Sequence, residues 1–404
     1  MSKFDHIVVG SGIVGSWTAL CLKRLGKNVL LVDQFAEPNS RGSSHGQSRI
    51  IRTSYAEKFF GDLMPYAIKM WKQLETETGK ELMLKARYLA VCCESDNSSY
   101  NEAYKKMRTL FPEHLDDLRP GQVNSRFPET LKYNDTTRAF IDKSGGVILA
   151  IKALLAIQSL YREKGGVMWE NCEVVKIIPE GSNSVKLITQ KGDVHAKSVV
   201  VCAGPWTKKL LTPDIIPSLP LQPVLVPVYY WKEKKKGAYS VSSGFPSFMD
   251  FDEPNVFALP QLEYPGLVKI AIHRGVPCDP DERDKTPLSK EREDYLKQYI
   301  KDHFPLAEPE PSIIERCMYT MTPDEVFILD HAPKHKNIVI GAGFSGTGFK
   351  TAPVVGRILS ELAIGITPFL NISVFRLSRF NKQGEGDGDM AVEENFELSF
   401  KNLN

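Results

Sequence analysis

The sequence contains few cysteines, and their spacing argues against two classes of protein. Seven cysteines are spread over 404 residues, and no two of them stand in a Cys-x-x-Cys arrangement. Disulfide-held secreted domains and structural zinc sites need cysteines at closer and more regular spacing. His331 and His335 are four residues apart, but Pro333 between them argues against a helix that would align them as metal ligands. We therefore expect reduced thiols in an intracellular protein without a metal site.

Long apolar runs and an excess of charge of one sign are also missing. No segment approaches the roughly 18 uninterrupted apolar residues that a membrane span needs, and a predicted strand follows Met1 almost directly, which leaves no room for a signal peptide. The chain has 51 basic and 49 acidic residues, and its net charge is +2. Such a balance produces no field that attracts nucleic acid or an anionic membrane. We expect a soluble protein whose partner is a small molecule.

The N-terminal residues form a complete dinucleotide-binding pattern. A short apolar strand leads into the turn GSGIVG at 10–15, then into a helix and a second strand that ends at Asp33. In this fingerprint the glycines Gly10, Gly12 and Gly15 let the backbone approach a pyrophosphate at the N-terminus of the helix. The acid at the end of the second strand binds the adenosine ribose. The pattern predicts a Rossmann-like nucleotide-binding fold.

Two more glycine-bearing turns follow predicted strands far along the chain. One contains Gly204, after the apolar strand 198–201, and the other spans 341–348, after the strand 337–340. Nicotinamide and flavin cofactors share the opening motif, but three such turns suit a large cofactor bound along its whole length. A helix N-terminus after the third turn would present its positive dipole to the pyrimidine edge of a flavin, where negative charge collects on reduction. The alternative interpretation of 341–348 is an ordinary strand-to-helix connection.

The remaining pattern predicts a discontinuous protein with two domains. Segments 59–77 and 149–164 have helical periodicity and 167–178 is a predicted strand, whereas 219–322 contains aromatic and β-branched runs broken by proline, as in antiparallel sheets. We predict an α/β FAD-binding domain, Rossmann-like and of the glutathione-reductase type, with an inserted α+β substrate domain built on a mostly antiparallel sheet. The predicted boundaries are 1–85, 145–218 and 323–380 for the FAD-binding domain, 86–144 and 219–322 for the substrate domain, and 381–404 for a polar C-terminal tail.

Three longer motifs resemble the monomeric sarcosine oxidase family. They are SRGSSHGQSRIIR at 40–52, CMYTMTPDE at 317–325 and GFSGTGFK at 343–350, and the closest similarity is to the peroxisomal sarcosine oxidase and L-pipecolate oxidase members. The resemblance implies a monomeric, FAD-dependent oxidase of secondary or cyclic amino acids, of the sarcosine, L-pipecolate or L-proline type. Such an enzyme oxidises the C–N bond to an imine and reduces O2 to H2O2. A flavin amine dehydrogenase with another acceptor and a flavin-binding protein with weakened catalysis are the alternatives.

The resemblance also implies how FAD is held. Cys317 matches the cysteine that forms a thioether to the 8α carbon of FAD, and a buried inert thiol is the alternative interpretation. The positions that we assign to cofactor binding are Gly10, Gly12, Gly15, Asp33, Ser43, Ser44, Gly204, Cys317, Gly343, Phe344, Ser345, Gly346, Gly348 and Lys350.

Four residues match family positions that take part in catalysis. His45 and Arg49 correspond to residues beside the flavin ring, where a guanidinium favours the electron-rich reduced flavin and an imidazole can share in proton handling. Lys269 matches the lysine that activates oxygen in the family. A cation near the ring would do this by stabilising negative charge on oxygen. His273 matches a histidine of the substrate pocket. The alternatives are structural roles. His45 could only hold a Gly/Ser loop in place, and Lys269 could be a solvent-facing strand residue.

The substrate site carries both matches and departures. Arg52 and Lys350 resemble the pair of cations that binds the substrate carboxylate and orients the C–H bond toward the flavin; each could instead be an ordinary ion-pair partner. Phe257 stands in a pocket segment where the family commonly has a tyrosine, and Thr347 stands where a histidine is usual. We expect both changes to alter the amine pocket.

The C-terminus bears on the compartment. The chain ends in Asn402-Leu403-Asn404 and lacks the Ser-Lys-Leu type of tripeptide that directs proteins to peroxisomes. The resemblance implies a peroxisomal enzyme, and the missing tripeptide leaves a cytoplasmic location as the alternative.

Overall fold

Two large β-sheets organise the molecule, a computed structural model that describes residues 4–381. The predicted tail at 381–404, apart from the backbone of Asn381, lies outside the described residues, as does the C-terminal tripeptide. Among the described helices, none is long and apolar enough to cross a membrane.

The strands and helices are numbered in chain order. The strands are β1 His6–Val9, β2 Val29–Val32, β3 Ser48–Ile51, β4 Met83–Leu84, β5 Tyr88–Cys92, β6 Leu115–Leu118, β7 Arg138–Asp142, β8 Gly146–Leu149, β9 Val167–Trp169, β10 Val174–Pro179, β11 Val185–Thr189, β12 Gly192–Ala196, β13 Ser198–Val201, β14 Gln222–Glu233, β15 Ser247–Asp250, β16 Val256–Leu259, β17 Leu267–Ile272, β18 Val276–Pro277, β19 Ala307–Met321, β20 Ile328–Ala332 and β21 His335–Ala342. The α-helices are α1 Ile13–Arg24, α2 Lys58–Thr78, α3 Ser98–Leu110, α4 Gln122–Arg126, α5 Ala150–Glu163, α6 Thr207–Leu211, α7 Lys290–His303 and α8 Gly348–Ala363.

The first large sheet has six strands in the order β20-β21-β13-β1-β2-β9. All neighbouring strands are parallel except β20 and β21. The central strands read HIVV, VLLV and SVVV and are buried throughout, as expected for a parallel sheet that is covered on both faces. Helices α1, α5 and α8 pack on one face and the small sheet β10-β11-β12 packs on the other.

The second large sheet has nine strands and is mostly antiparallel. Its order is β18-β14-β17-β16-β15-β5-β7-β6, with β19 paired to β14. Only β15 and β5 run parallel within it. Because one sheet is a parallel Rossmann-type layer and the other an antiparallel layer, the predicted fold class is confirmed. The domain boundaries stay a prediction.

One predicted element is wrong in the middle of the chain. Segment 167–178 is not one strand: β9 belongs to the six-stranded sheet and β10 to the small sheet beside it. The chain breaks at Asn171, whose φ of 50° is incompatible with a continuous strand. The helices predicted at 59–77 and 149–164 are confirmed as α2 and α5, to within one residue at each end.

Candidate active site

A large cavity lies where the carboxyl ends of β1, β2 and β13 meet the second sheet. Its empty volume is about 1610 Å³, counting its open mouth. Most of the residues assigned to cofactor binding line it, together with His45 and Arg49. The lining residues among those predictions are Gly10, Gly12, Asp33, Ser43, Ser44, Gly204, Phe344, Ser345, Gly346 and Gly348. The cavity lining does not include Gly15, Gly343, Cys317 or Lys350.

One end of the cavity is formed by the dinucleotide motif. Gly10 has φ +98°, and a Cβ atom there would lie 2.3 Å from the carbonyl oxygen of Cys202, so no other residue fits. The Asp33 carboxylate accepts hydrogen bonds from the amides of Ser11 (2.6 Å) and Phe35 (2.8 Å), and burial raises its pKa. Ser44 Oγ accepts from the Ile13 amide at 3.0 Å, which satisfies one donor at the start of α1.

The loop before β3 fixes Arg49 and His45 at the other end. The Arg49 guanidinium donates to the backbone carbonyls of Ser43 (3.0 Å), His45 (2.6 Å) and Ser48 (2.7 Å), and it lies 5.5 Å from the centre of the Phe349 ring. His45 Nδ1 lies 2.5 Å from the Gly42 carbonyl oxygen, so Nδ1 carries the proton of a neutral ring and Nε2 is free to accept. Burial, more than the nearby Arg49, lowers the pKa of His45 to about 4.

Arg52 and Lys350 come together around aromatic rings. The Arg52 guanidinium lies 4.4 Å from the centre of the Tyr55 ring and 4.9 Å from that of Tyr88, and the Lys350 ammonium lies 5.4 Å from the Tyr55 ring. Arg52 donates to the backbone carbonyl of Ser54 at 2.5 Å. Within the described part of the chain, neither cation has a carboxylate at ion-pair distance. Burial and the charge of Arg52 lower the pKa of Lys350 to about 7.

His273 lies between this pair and the cavity. It directly follows β17 rather than lying within it, and its Nδ1 is 3.2 Å from the Tyr319 hydroxyl oxygen. A Cβ atom at Gly346 would approach His273 Cε1 to 2.5 Å, which explains the glycine. Phe257 packs edge-on against His273 with ring centres 6.3 Å apart. Burial, followed by the cations Lys350, Arg274 and Arg52, lowers the pKa of His273 to about 3.

Lys269 is buried rather than solvent-facing, and it has a partner. Its ammonium forms an ion pair with Glu263 and donates to Ser48 Oγ at 2.8 Å. Ser48 directly precedes Arg49, so Lys269 approaches the Arg49 end of the site from the second sheet. Burial lowers the pKa of Lys269, and the Glu263 carboxylate opposes this effect.

Cys317 is buried in β19 next to the cavity. The following residues Met318, Tyr319 and Thr320 line the cavity, while Cys317 itself does not. Two other cysteines do line it: Cys202 lies beneath Gly10, and Cys172 donates its amide to the Asp33 carbonyl at 2.8 Å.

Several residues of the site had no signal in the sequence. Tyr55 and Tyr88 surround Arg52, and their buried hydroxyls lack a hydrogen-bond partner among the described residues. Tyr319 lies in the motif at 317–325, so its closeness to Cys317 follows from the sequence, whereas its contact with His273 does not. Glu263 comes from the loop between β16 and β17, which contains none of the motifs identified in the sequence. Among the described residues, no group of three or more histidine, cysteine or acidic side chains is placed to hold a metal ion.

Comparison with known proteins agrees with the resemblance. The family model described as "FAD dependent oxidoreductase" matches residues 5–362. Peroxisomal sarcosine oxidase of Homo sapiens is 43% identical over 386 residues, which cover 95% of this chain and 97% of that protein. Monomeric sarcosine oxidase of Bacillus sp. (strain B-0618) is 32% identical over 390 residues, which cover 94% and 96%.

A solved structure shares the fold. NikD, described as an unusual amino acid oxidase essential for nikkomycin biosynthesis, superposes in its open form with a TM-score of 0.81 at 22% identity, over 93% of this chain and 98% of that chain. At this identity the likeness concerns the fold alone. The family matches agree with the glycine turns and with the cavity between the sheets. They confirm the resemblance, and they confirm FAD as the cofactor. The chain therefore belongs to the FAD-dependent oxidoreductases, in the group that contains the sarcosine oxidases.

Proposed function

We propose that the chain is an FAD-dependent oxidase of secondary or cyclic amino acids, of the sarcosine, L-pipecolate or L-proline type. The reaction converts the amine and O2 into the imine and H2O2, so that two hydrogens leave the C–N unit and reappear in the peroxide. The observation that carries this proposal is the pair Arg52 and Lys350 near the cofactor cavity, two basic side chains with no carboxylate at ion-pair distance among the described residues. The names of the sarcosine oxidases to which the chain is similar support the same substrate class.

The residues of the cavity fit FAD. Gly10, Gly12 and Asp33 line one end of the cavity and would hold the pyrophosphate and the ribose, and Arg49 would place a fixed positive charge at the opposite end. When bound, FAD accepts the hydride equivalent from the carbon beside the amine nitrogen and passes two electrons on to oxygen. The protein's own residues bind, orient and shield the reacting groups.

Arg52 and Lys350 are proposed to bind the substrate carboxylate. Both lie against the Tyr55 ring, and the charge of Arg52 acts on Lys350, so the two basic groups are close enough to bind one anion together. A carboxylate at this place would be fixed by two charged donors, which orients the neighbouring C–H bond. The buried hydroxyl of Tyr55, which lies beside Arg52, would provide a further donor for the carboxylate.

The charges of the site select the neutral form of the amine. Arg49 and Arg52 are cations, Lys350 is a cation below its lowered pKa of about 7, and His273 and His45 are neutral near pH 7 because their pKa values are lowered to about 3 and about 4. A protonated amine would be repelled in this environment. Oxidation of a C–N bond requires the free electron pair on nitrogen, so the electrostatics favour the reactive form.

Lys269 is proposed to assist the reduction of oxygen. It is a buried cation beside Ser48 and close to Arg49. A positive charge in a dry site stabilises negative charge that develops on oxygen more strongly than in water.

Covalent attachment of FAD through Cys317 is also proposed. Of the three cysteines near the cavity, Cys172 and Cys202 lie near Asp33 and Gly10, at the nucleotide end. Cys317 is the cysteine near Tyr319 and the Arg49 end. Arg316 donates to the carbonyls of Arg283 and Thr286 at 3.1 and 2.7 Å, so its guanidinium is held by the backbone and not by the thiol.

The departures from the family pattern are proposed to shape the amine pocket. Phe257 places an apolar ring beside His273 and supplies no hydroxyl. Thr347 uses its hydroxyl to donate to the Phe344 carbonyl at 2.9 Å, which secures the turn before α8.

The relatives' names support two further proposals. We propose that the chain acts as a monomer, as the name of the Bacillus relative states for that protein, and that it resides in peroxisomes, as the name of the human relative states for that enzyme. Localisation by fluorescence, with and without the last three residues, distinguishes peroxisomes from cytoplasm.

Oxygen consumption tests the proposed function. The holoenzyme is offered sarcosine, L-pipecolate, L-proline and N-methyl amino acids in an oxygen electrode, and peroxide is measured in parallel. We expect one mole of H2O2 for each mole of O2 consumed with at least one of these amines. Turnover that needs an added quinone or carrier protein, with no peroxide formed, would show a dehydrogenase instead. No turnover with any acceptor would indicate a protein with weakened catalysis.

A further inference from the structure

Glu263 is the buried counter-ion of Lys269. The side chains of Lys269 and Glu263 are only 4% and 3% exposed. Glu263 Oε1 accepts hydrogen bonds from both Lys269 Nζ and Ser48 Oγ, and Nζ lies 2.8 Å from that same Oγ. The three groups therefore form a closed triangle. Glu263 comes from the loop between β16 and β17, outside every motif that carries the family resemblance.

A lysine at this position cannot keep its charge without help. A buried ammonium loses its hydration and tends to release its proton. Burial is the largest influence on the pKa of Lys269 and lowers it, and the charge of Arg49 lowers it further, while the Glu263 carboxylate raises it. The charged or titratable groups that face Lys269 are Arg49 of β3, Tyr230 of β14, Glu315 of β19 and Glu263 itself.

Glu315 does not replace Glu263 as the counter-ion. Its two carboxylate oxygens accept hydrogen bonds from the hydroxyls of Tyr230 (2.8 Å) and Tyr264 (2.6 Å). Among the described residues, Glu263 is thus the acid in direct contact with the Lys269 ammonium.

We propose that Glu263 is a positioning residue for the reduction of oxygen: it holds the Lys269 ammonium in its protonated form and fixes its direction. The proposal rests on the role proposed above for Lys269. Molecular oxygen takes up two electrons and one proton from reduced FAD and one proton from solvent, which gives H2O2. Lys269 contributes its charge and keeps its proton, so a deprotonated lysine would be inactive.

The pH dependence of reoxidation tests this role. The holoenzyme is photoreduced without oxygen, so that no amine is needed, and is then mixed with O2 in a stopped-flow instrument. We expect a rate constant that is constant from about pH 6 to about pH 9 in the wild type, and one that falls at least about tenfold over this range in Glu263→Gln, because the unpaired lysine loses its proton. Glu263→Asp should restore the flat profile.

A matched control separates this effect from general damage. Glu233 is another buried glutamate of the same sheet, and its carboxylate accepts from the Gly237 amide at 2.6 Å and pairs with no lysine or arginine among the described residues. Glu233→Gln should keep the wild-type profile. A flat profile at the wild-type rate in Glu263→Gln would overturn the proposal. Because light supplies the electrons, failure to oxidise any amine would count against the proposed function and not against Glu263.

Thermal unfolding gives a second readout that needs no turnover. Removing one member of a buried ion pair leaves the other charge unpaired, so Glu263→Gln and Lys269→Met should each lower Tm by about 4–6 °C. The double variant Glu263→Gln/Lys269→Met should recover at least half of the loss. If a single variant fails to fold, recovery of soluble protein in the double variant supports the pairing. Losses that add in the double variant, or a double variant that also fails to fold, would contradict it.

Discussion

The basic residues of the site differ in whether a carboxylate pairs with their charge, and this difference separates their proposed roles. Lys269 is paired with Glu263, whereas Arg52 and Lys350 contact aromatic rings and have no carboxylate partner among the described residues. A cation with a built-in counter-ion is suited to a fixed electrostatic role. Cations without a carboxylate partner are suited to bind an anionic ligand reversibly.

The charge of Lys350 gives the first prediction. Its pKa is lowered to about 7, so the ammonium is present below this pH and is lost above it. The affinity for a carboxylate ligand without an ionisable amine should therefore fall as pH rises through about 7, by up to about tenfold for each pH unit. The histidines His45 and His273 do not titrate in this window. Perturbation of the flavin spectrum by the ligand measures the affinity.

Lys350→Gln is the control for this titration. The variant should bind the carboxylate more weakly at low pH and show a flat profile through neutrality. An unchanged slope in this variant would assign the titration to another group.

Cys317 gives the second prediction. If its sulfur is bonded to FAD, acid precipitation should leave the yellow colour in the pellet of the native protein and release it into the supernatant from Cys317→Ser. Cys202→Ser should behave like the native protein. Equal release from the native protein and Cys317→Ser would contradict the thioether.

Residues within the motifs could be proposed for the site from the sequence, whereas the side chains that contact them could not. The segment 40–52 pointed to His45, Arg49 and Arg52 because it resembles a motif of the sarcosine oxidase family. Glu263 and Tyr88 had no such signal, since each reaches the site through sheet pairings between distant segments. Local pattern carries no information on those pairings.

At the level of elements, the segment between β18 and α7 contacts loops that line the FAD cavity. Asp281 lines the cavity and accepts from Trp206 Nε1 at 2.6 Å and from Lys209 at 2.5 Å. Three residues further on, Asp284 forms an ion pair with Arg41 at 2.5 Å. These contacts tie the segment to both neighbouring loops of the nucleotide-binding part.

This segment gives the third prediction. In a Cys317→Ser background, Asp281→Ala should increase the rate of FAD dissociation roughly three- to tenfold, because partly exposed charged hydrogen bonds contribute about 1 kcal/mol. Dissociation is followed by flavin fluorescence on dilution. Asp302→Ala, at an exposed position of helix α7, is the control and should leave the rate unchanged. An unaltered rate in Asp281→Ala would show that the segment does not retain the cofactor.

Element types were largely predictable, and the exception has a physical cause. Helices α2 and α5 have long amphipathic patterns, which fix their type and length well. The predicted strand 167–178 was apolar at both ends, and its break depends on a positive φ at Asn171 that the apolar pattern does not reveal.

On the scale of the whole molecule, the cofactor cavity joins segments that are far apart in sequence. Its lining comes from the N-terminal motif, from residues near 173 and 204, from β19 and from the turn before α8. FAD should therefore stabilise the folded chain by binding only when these segments are assembled.

Cofactor removal gives the fourth prediction. The Cys317→Ser protein stripped of FAD should unfold at a lower temperature than the loaded form, and Tm should rise with the logarithm of the added FAD concentration. Differential scanning calorimetry measures both effects. ADP should raise Tm less than FAD, because it occupies only the nucleotide end. No dependence of Tm on FAD would contradict the assignment of the cavity.

The two-sheet architecture was predictable because the glycine turns follow parallel-type strands, while the aromatic, proline-broken stretch after 219 is typical of antiparallel sheets. The contacts across the two layers were not, since they depend on how distant chain segments pack. The contact between Phe257 and His273 is one of them, and for this reason the sequence does not name the amine.

Anaerobic mixing of the holoenzyme with secondary amino acids tests the central claim most directly. Sarcosine, L-pipecolate, L-proline and N-methyl amino acids are added one at a time without oxygen, and the visible absorption of the flavin is followed. We predict that at least one of them reduces the flavin, so that its visible absorption is lost in a single anaerobic reaction. Admitting oxygen should restore the absorption with release of peroxide. A flavin that stays yellow with every one of these amines would contradict the account.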